Sequence, residues 1–304
     1  MTAGYYRFWY IDPAGFSYAL NDLVHSILQP NGKTGFGVLR ARTASEQRPY
    51  RDGEVVTGRP YTGPRTFALA LTIVHSTTAL VLAYWRALAR NQSPYKDPES
   101  LGAVLVETPD GLYRQIACWM IEAPDPEFRS PEACSALFTF WAPLPFFYDP
   151  TEQSEAAGLD NPGGVTFPAD FVDPTGLEFA TSDVDSHVSI TNAGDVETWP
   201  TIRINGPGKD PAIENETTGK TMALTANGGI TLDAGDYIDI AMDAATVSFH
   251  DNTDGSDTNI ISTMSLSSVF WPLMRGENML HCTMTNVTTG SIVVDWYNRY
   301  QSGL

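Results

Sequence analysis

The acidic segment HDNTDGSDTN, residues 250–259, contains the residue types that most suggest a chemical role. Oxygen-rich loops of this kind bind hard cations such as Ca²⁺. In the EF-hand register that places Gly255 sixth, however, His250 stands first and Ile261 twelfth, where carboxylates are needed. The segment is better explained as a solvated hairpin loop between two short strands, and calcium in another geometry is left open.

The histidines do not form a recognisable metal-binding motif. None of the five shows HExxH or a similar paired spacing, so each is expected to be a surface residue or a satisfied core residue. They are His25, His75, His187, His250 and His281. Carboxylates are abundant in the second half, but a glycosidase needs two of them at a set separation in a cleft. The sequence therefore predicts no catalytic, cofactor-binding or metal-binding residue, no cofactor and no enzyme activity.

The cysteines and the apolar segments favour a protein that folds in the cytoplasm, without disulfide bonds or membrane insertion. Cys118, Cys134 and Cys282 show no CxxC spacing and are expected to be buried small hydrophobic residues. The N-terminal stretch MTAGYYRFWYIDP lacks the apolar region of a Sec signal. The longest apolar run, around residues 67–85, is interrupted by polar residues, so no membrane insertion is expected.

The first half predicts strands around one helix. Residues 66–75 form a β-rich run that ends at Ser76-Thr77-Thr78, which suit a helix N-cap. The pattern of residues 79–91 predicts a helix whose apolar face holds Leu80, Tyr84, Ala87 and Leu88, with Val81 and Trp85 at its edge. Three further strands are expected at residues 102–108, 113–121 and 134–142. This half is expected to be α+β, a small barrel or sandwich with one packed helix.

The second half predicts an antiparallel β-sandwich. A polar, Gly- and Pro-marked stretch at residues 149–164 marks the boundary, and short alternating strands follow it. The expected organisation is an N-terminal domain at residues 1–149, a linker leading into the next domain at 150–186, and a C-terminal domain at 187–304. The protein as a whole is expected to be mainly β.

The segment FTFWAPLPFFYDP, residues 138–150, predicts how the first domain ends. Phe138 and Phe140 lie on one face of the last strand, and Trp141 lies on the other. Two prolines then extend the chain, and Phe146 and Phe147 are expected to pack onto a domain surface.

Charge is divided unequally along the chain. Residues 1–150 hold 13 Lys and Arg against 14 Asp and Glu, a net of −1, whereas residues 151–304 hold 5 against 22, a net of −17. So acidic a domain repels nucleic acid and anionic membranes. The near-neutral first half is the better candidate for packing against other subunits, although a balanced soluble domain has the same composition.

The second half carries motifs in an order that resembles a known family. It contains TNAGDVETWPTIRINGPGKDPAIENETTGKTMAL (191–224), LDAGDYIDI (232–240), SSVFWPLMRGENML (267–280) and IVVDWYNRY (292–300). This order resembles the C-terminal β-domain of siphophage distal tail proteins and related phage minor tail proteins. The matching positions are Asn192, Gly194, Pro200, Asn215 to Gly219, Gly235-Asp236, and Leu273 through Gly276 to Asn278. In the first half, residues 49–71 and the helix that follows also fit the family.

The resemblance implies a structural virion protein at the phage tail tip, made in the host bacterial cytoplasm. Family members form a ring, commonly six-fold, through the N-terminal domain. That ring joins the tail tube protein to the tail-tip hub and fibre proteins. The C-terminal domain is implied to be a sandwich of the galectin-like or carbohydrate-binding-module-like type.

An alternative from another functional class is a tail protein that binds cell-wall carbohydrate. Exposed aromatic rings stack on sugars, and carboxylates accept bonds from sugar hydroxyls. The candidates are Trp199, Trp271, Trp296 and Tyr297. Their strand positions favour core packing for most of them, and an adaptor could also carry a sugar-binding face.

Overall fold

The computed structural model describes residues 5–39, 41–42, 45–47, 52, 54–56, 61–90, 100–123, 125–159, 184–287 and 289–304. Most of the predicted linker at residues 150–186 lies outside this range, as does part of the segment 49–71. The described chain divides into two compact units. The first comprises Met1–Pro150 with Arg299–Leu304, and the second comprises Thr151–Asn298.

The first unit consists mainly of β-strands with one helix in its described part. The helix is α1 (Thr78–Ala89), and the strands are β1 (Arg7–Ile11), β2 (Ser17–Ala19), β3 (Ser26–Thr34), β4 (Ala41–Arg42), β5 (Ser45–Gln47), β6 (Glu54–Val56), β7 (Tyr61–Thr62), β8 (Arg65–Val74), β9 (Gly102–Glu107), β10 (Tyr113–Glu122), β11 (Glu127–Ser130), β12 (Ala133–Ala142) and β13 (Phe147–Tyr148). The strands predicted at residues 66–75, 102–108, 113–121 and 134–142 are confirmed.

The main sheet of the first unit has the antiparallel order β2-β1-β9-β10-β12-β8-β3, with β11 on β12 and β13 on β10. Alternate residues of its strands enter the core, as the period of two requires. Phe138 and Phe140 of β12 are fully buried, as predicted, and Phe67 of β8 stacks on Phe140 with ring centroids 5.1 Å apart. The core of this unit is therefore aromatic at its centre.

Helix α1 begins where the sequence predicts. Thr77 is the N-cap, and its side chain accepts a hydrogen bond from the Leu80 N–H. Leu88 is buried, as predicted, but the apolar face is shifted towards its predicted edge, because Val81 is also buried and Leu80 is exposed. Residues spaced by three and four from Val81 give a continuous stripe, and this stripe packs on the sheet.

Two short ladders lie outside the main sheet. Strand β4 pairs with β7, and β5 pairs with β6, so that the second ladder is nested inside the first along the chain. Neither ladder joins another sheet within the described residues. We refer to residues 41–62 as the arm.

The second unit is a sandwich of two antiparallel sheets. Its strands are β14 (Gln153–Gly158), β15 (Val184–Asn192), β16 (Thr201–Asn205), β17 (Gly208–Asn215), β18 (Lys220–Ala223), β19 (Thr231–Leu232), β20 (Tyr237–Ala241), β21 (Thr246–Asp251), β22 (Ser256–Asn259), β23 (Gly276–Thr285) and β24 (Ser291–Trp296), with 3-10 turns at Ala226–Gly228 and Ile261–Thr263. One sheet has the order β14-β24-β16-β20-β21-β22, and the other has β15-β23-β17-β18 with β19 on β17. The mainly β fold class is confirmed.

Both boundaries of the second unit differ from the sequence expectation. Strand β14 lies in the segment expected to be linker, because its residues pair with β24 from Gln153↔Trp296 to Gly158↔Ser291. The last strand, β25 (Arg299–Tyr300), was expected in the C-terminal domain. It belongs to the first unit, because Phe147 pairs with Tyr300 and Tyr148 pairs with Arg299.

Arg65 holds three distant segments of the first unit together. Its side chain is fully buried, and the guanidinium donates to the carbonyl oxygens of Pro145, Gly35, Gly37 and Gln301 at 2.5–2.9 Å. Burial lowers the pKa of Arg65 to about 10, so the group stays charged at neutral pH. Hydrogen bonds from a charged donor are stronger than neutral ones and compensate for its desolvation.

Replacing Arg65 by Met is expected to destabilise the first unit by about 1–3 kcal/mol, because the buried carbonyl oxygen of Pro145 loses its donor and three further carbonyl oxygens lose a charged partner. Urea denaturation of the full chain measures the change in the free energy of unfolding. Arg129→Met, at an exposed position on β11, serves as the control and should change it by less than about 0.5 kcal/mol. Equal effects of the two substitutions would show that the buried guanidinium is not a structural tie.

Candidate functional site

The acidic segment at residues 250–259 is a hairpin, as the sequence predicts. Strands β21 and β22 pair through Asp251↔Ser256. Its carboxylates are used locally: Asp251 accepts from the Thr253 N–H at 2.7 Å, and Asp254 accepts from the Ser256 N–H at 2.8 Å. Hydrogen bonds from Ser256 lower the pKa of Asp254. These groups stabilise the turn itself.

The cysteines are buried, as predicted. Cys118, Cys134 and Cys282 are all free thiols with almost no exposed surface. Burial raises the pKa of Cys282 to about 12 and raises that of Cys118 further. A thiol that stays protonated at neutral pH is a poor nucleophile, so these residues act as core packing.

The predicted sugar-contacting aromatics do not form a common platform. Trp271 and Trp296 are buried in the core of the second unit, and Trp199 packs against the same core. Tyr297 has a substantial exposed surface, but the other three rings do not. Strand alternation directs Trp296 of β24 to the inner face, and Trp271 enters the core from the segment between the 3-10 turn at Ile261–Thr263 and β23.

Exposed apolar side chains are concentrated on the first unit. Among the described residues, the large apolar side chains that are exposed in the second unit are limited to Ile261, Leu266, Val269, Met274 and Tyr297. The first unit exposes many more, and they include Tyr5, Phe16, Leu23, Val24, Ile27, Val38, Tyr61, Leu112, Phe128 and Leu144. Apolar side chains exposed singly are normal on a protein surface, so only a group of them that lies together is a candidate contact surface.

One group of these side chains lies at an open strand edge. Strand β3 pairs with β8 on one side and with no strand on the other within the described residues. Leu23, Val24 and Ile27 are exposed where this strand begins. We call these three residues the β3 edge patch. Its apolar side chains adjoin unpaired backbone groups, which suits it to contact another protein.

The backbone that carries the patch is held by Asp22. Its carboxylate accepts from the N–H groups of Val24, His25 and Ser26 at 2.6–2.9 Å. Burial raises the pKa of Asp22, but the hydrogen bonds from Ser26, Val24 and His25 outweigh it and lower the pKa overall. Leu23 adopts a left-handed conformation with φ of 64°. The patch is therefore presented by a well-defined turn.

The fold also brings together histidines that looked scattered in the sequence. His187 and His281 lie directly opposite each other on β15 and β23, with Glu216 nearby. Sequence spacing could not reveal this group, because its members come from β15, from β23 and from the turn after β17, which are separated in the chain. Strand register is the signal that would have found it.

Within the described residues, none of the helices is both long enough and apolar enough to cross a membrane.

Comparison with known proteins identifies the relatives of this fold. Residues 193–300 match the family described as "Siphovirus-type tail component, C-terminal domain". A search of curated proteins found no match. Among solved structures, the chain resembles the SPP1 Dit protein, described as a paradigm of the hub adsorption apparatus in phages that infect Gram-positive hosts. The TM-score is 0.62 at 14% identity over 96% of this chain and 98% of that chain.

A second structure, the phage P2 baseplate in its activated conformation with Ca, matches with a TM-score of 0.50 at 10% identity over 96% of this chain and 98% of that chain. The likeness in both cases extends over the two units and is one of fold. Residues 193–300 therefore match the siphovirus-type tail component family, and the resemblance of the chain to siphophage distal tail proteins is confirmed by this match together with the likeness of fold to SPP1 Dit.

Proposed function

We propose that this chain assembles into a ring, a homohexamer, at the tail tip of a siphovirus-type virion. The ring joins the tail tube protein to the hub and fibre proteins of the baseplate. The observation that carries the proposal is the similarity of fold to SPP1 Dit over 96% of the chain, together with the family match in the second unit. The role is structural and requires no catalytic group.

The surface of the first unit supports its role in forming the ring. A closed ring of identical subunits is built from head-to-tail contacts, in which two different surfaces of each subunit meet. The β3 edge patch supplies one apolar surface beside an open strand edge. The arm supplies a second element, because β4 pairs with β7 and β5 with β6, and neither pair joins another sheet in the described residues.

Charge supports the same division of roles. Residues 151–304 carry a net charge of −17, so six copies would repel one another strongly if their acidic parts were clustered. Residues 1–150 carry a net charge of −1 and can be brought together at little electrostatic cost. Ring contacts through the first unit, with the acidic units kept apart, satisfy both conditions.

The carbohydrate-binding alternative receives less support. Trp271 and Trp296 are unavailable to a sugar because they are core residues, which leaves Tyr297 as the exposed member of the predicted set. A single exposed tyrosine is an ordinary surface feature. We therefore propose the adaptor role alone.

Substituting Ile27 with Asp is expected to weaken ring formation, because a carboxylate placed in the β3 edge patch would have to be desolvated on assembly. Native mass spectrometry of the full chain, alone and with its tail tube partner, measures the fraction of oligomer. Ile261→Asp in the second unit is the matched control, because the two isoleucines are equally exposed at 42%. The expected result is at least a tenfold loss of oligomer for Ile27→Asp and no change for the control.

A wild-type chain that stays monomeric at high concentration, both alone and with the tube protein, would rule out the adaptor function. Equal loss of oligomer in both variants would place the contact elsewhere or indicate a general effect of charge.

Replacing residues 41–62 with a short Gly-Ser linker is expected to reduce oligomer formation while the first unit remains folded. The replacement is geometrically feasible, because Ala41 and Thr62 are paired across a ladder and their Cα atoms are about 5 Å apart. Far-UV circular dichroism and the thermal midpoint verify folding, and negative-stain microscopy detects rings. Unchanged rings would exclude the arm from the subunit contact.

A further inference from the structure

Three neighbouring strands of the second unit place two imidazoles and a carboxylate on one face. In the five-stranded sheet, β23 lies between β15 and β17. His187 of β15 is the direct partner of His281 on β23, which is in turn the partner of Glu214 on β17. Directly paired residues point to the same face, so the side chains of these three residues lie on a common side of the sheet. This side is the outer one, because Leu280 and Cys282 on either side of His281 face the core.

Glu216 extends this face beyond the end of β17. Its N–H donates to the Met279 carbonyl oxygen at 2.9 Å, which continues the pairing of β17 with β23. The side-chain hydroxyl of the next residue, Thr217, accepts from the Met279 N–H at 3.0 Å. The turn then closes through Gly219, whose N–H donates to the Asn215 carbonyl oxygen at 2.7 Å. The backbone of Glu216 is thus fixed, and its carboxylate lies beside the histidines.

The distances suit a small metal ion. His187 Nε2 and Glu216 Oε1 are 3.2 Å apart, and one ligand atom from each of the three residues lies within 4.8 Å of the others. Two ligands bound tetrahedrally at 2.0–2.1 Å are separated by about 3.3 Å. The His187–Glu216 separation therefore already matches one edge of such a tetrahedron.

The two imidazole rings are close enough to share an ion after a small movement. They are stacked with centroids 4.6 Å apart and an angle of 6° between their planes. Nitrogen atoms that share one ion must approach to about 3.3 Å. Rotation of one partly exposed ring about its side-chain torsions achieves this without moving a strand.

We propose that His187, Glu216 and His281 bind a divalent transition metal ion of the zinc class. Two imidazole nitrogens and one carboxylate oxygen are a donor set typical of Zn²⁺, whereas Ca²⁺ and Mg²⁺ take oxygen ligands. Three protein ligands leave one tetrahedral position open to water or to a side chain of a neighbouring protein. This site is independent of the proposed ring assembly.

The surrounding charge favours a cation. Glu214 lies on the same face, directly opposite His281, and Glu277 lies on β23 four residues before His281. Residues 151–304, which include the whole second unit, carry a net charge of −17. An exposed cation site in such a field gains affinity from the summed charge as well as from its ligands.

Calorimetric titration of the full chain with zinc chloride tests the proposal. The expected result is saturable binding of about one Zn²⁺ per chain, with calcium chloride giving no comparable heat. The single substitutions His187→Ala, Glu216→Gln and His281→Gln should each weaken zinc binding at least tenfold. His250→Ala is the matched control, because His250 also pairs with a carboxylate, Asp257 at 2.8 Å, but without a second imidazole. It should leave the affinity unchanged.

A spectroscopic measurement separates coordination from loose association. Co²⁺ bound by this set is expected to give the visible absorption bands of a four-coordinate ion, and these bands should disappear in the Glu216→Gln variant. Circular dichroism verifies that each variant is folded. Absence of saturable zinc binding in the wild-type chain would overturn the proposal and leave an ordinary ion pair beside a histidine stack. Equal affinity in the wild-type chain and a folded His187→Ala/Glu216→Gln double variant would overturn it equally.

Discussion

The pairing of β13 with β25 is the constraint on which the organisation of the chain depends. The second unit occupies the sequence between these two strands, so the chain leaves the first unit after Pro150 and returns at Arg299. Phe147↔Tyr300 and Tyr148↔Arg299 hold the outgoing and returning segments side by side. The ladder has only two residue pairs, and backbone pairing of this length is weak by itself. Side chains must therefore stabilise it.

Two groups of side chains supply that stability. Arg65 binds the carbonyl oxygens of Pro145 and Gln301, one on each side of the ladder. Arg114 of β10 forms an ion pair with Asp149 at 2.7 Å and lies over the Tyr300 ring at 3.6 Å. The Tyr300 hydroxyl donates to the same carboxylate at 3.1 Å. Charged groups thus fix the positions of both segments. The hydrophobic core alone would leave the pairing of two such short strands poorly specified.

This closure explains what the sequence could and could not predict. Local patterns were sufficient to predict strands such as β8 and β12, because the burial of every second residue is visible in the sequence at alternate positions such as Phe138 and Phe140. Strand β25 was assigned to the wrong unit because its partner, β13, lies some 150 residues earlier, and such pairing leaves no local signal. The rotation of helix α1, which buries Val81 instead of Leu80, has the same origin. Tertiary packing decides which of two adjacent apolar stripes is used.

The histidine cluster was missed for the same reason, since His187 and His281 meet only through strand register. The core position of Trp296 was, by contrast, foreseeable from the alternation of Ile292, Val294 and Trp296 along its strand. Sequence reasoning therefore performs well at residues whose environment is set by near neighbours. It fails at sites assembled from several strands, and binding sites on β-sandwiches are commonly of that kind.

The form of β3 shows how an open edge can serve assembly without promoting aggregation. Its pairing with β8 shifts register between Leu28 and Lys33, where Pro30 and Gly32 interrupt the strand. A Cβ at Gly32 would lie 2.5 Å from the Ala70 carbonyl oxygen, so the close approach of the two strands requires glycine there. Gln29 bridges part of the interruption, because its side-chain amide donates to the Leu71 carbonyl oxygen at 3.2 Å.

An interrupted strand of this kind cannot extend a sheet indefinitely, because Pro removes a backbone donor and the bulge twists the edge. The uninterrupted first residues of β3 adjoin the β3 edge patch. In the ring that we propose, contact with a neighbouring subunit would be decided by the side chains of Leu23, Val24 and Ile27 more than by backbone pairing, which any exposed strand could provide. Such a restriction would give specificity for one partner surface, which a ring of fixed size needs.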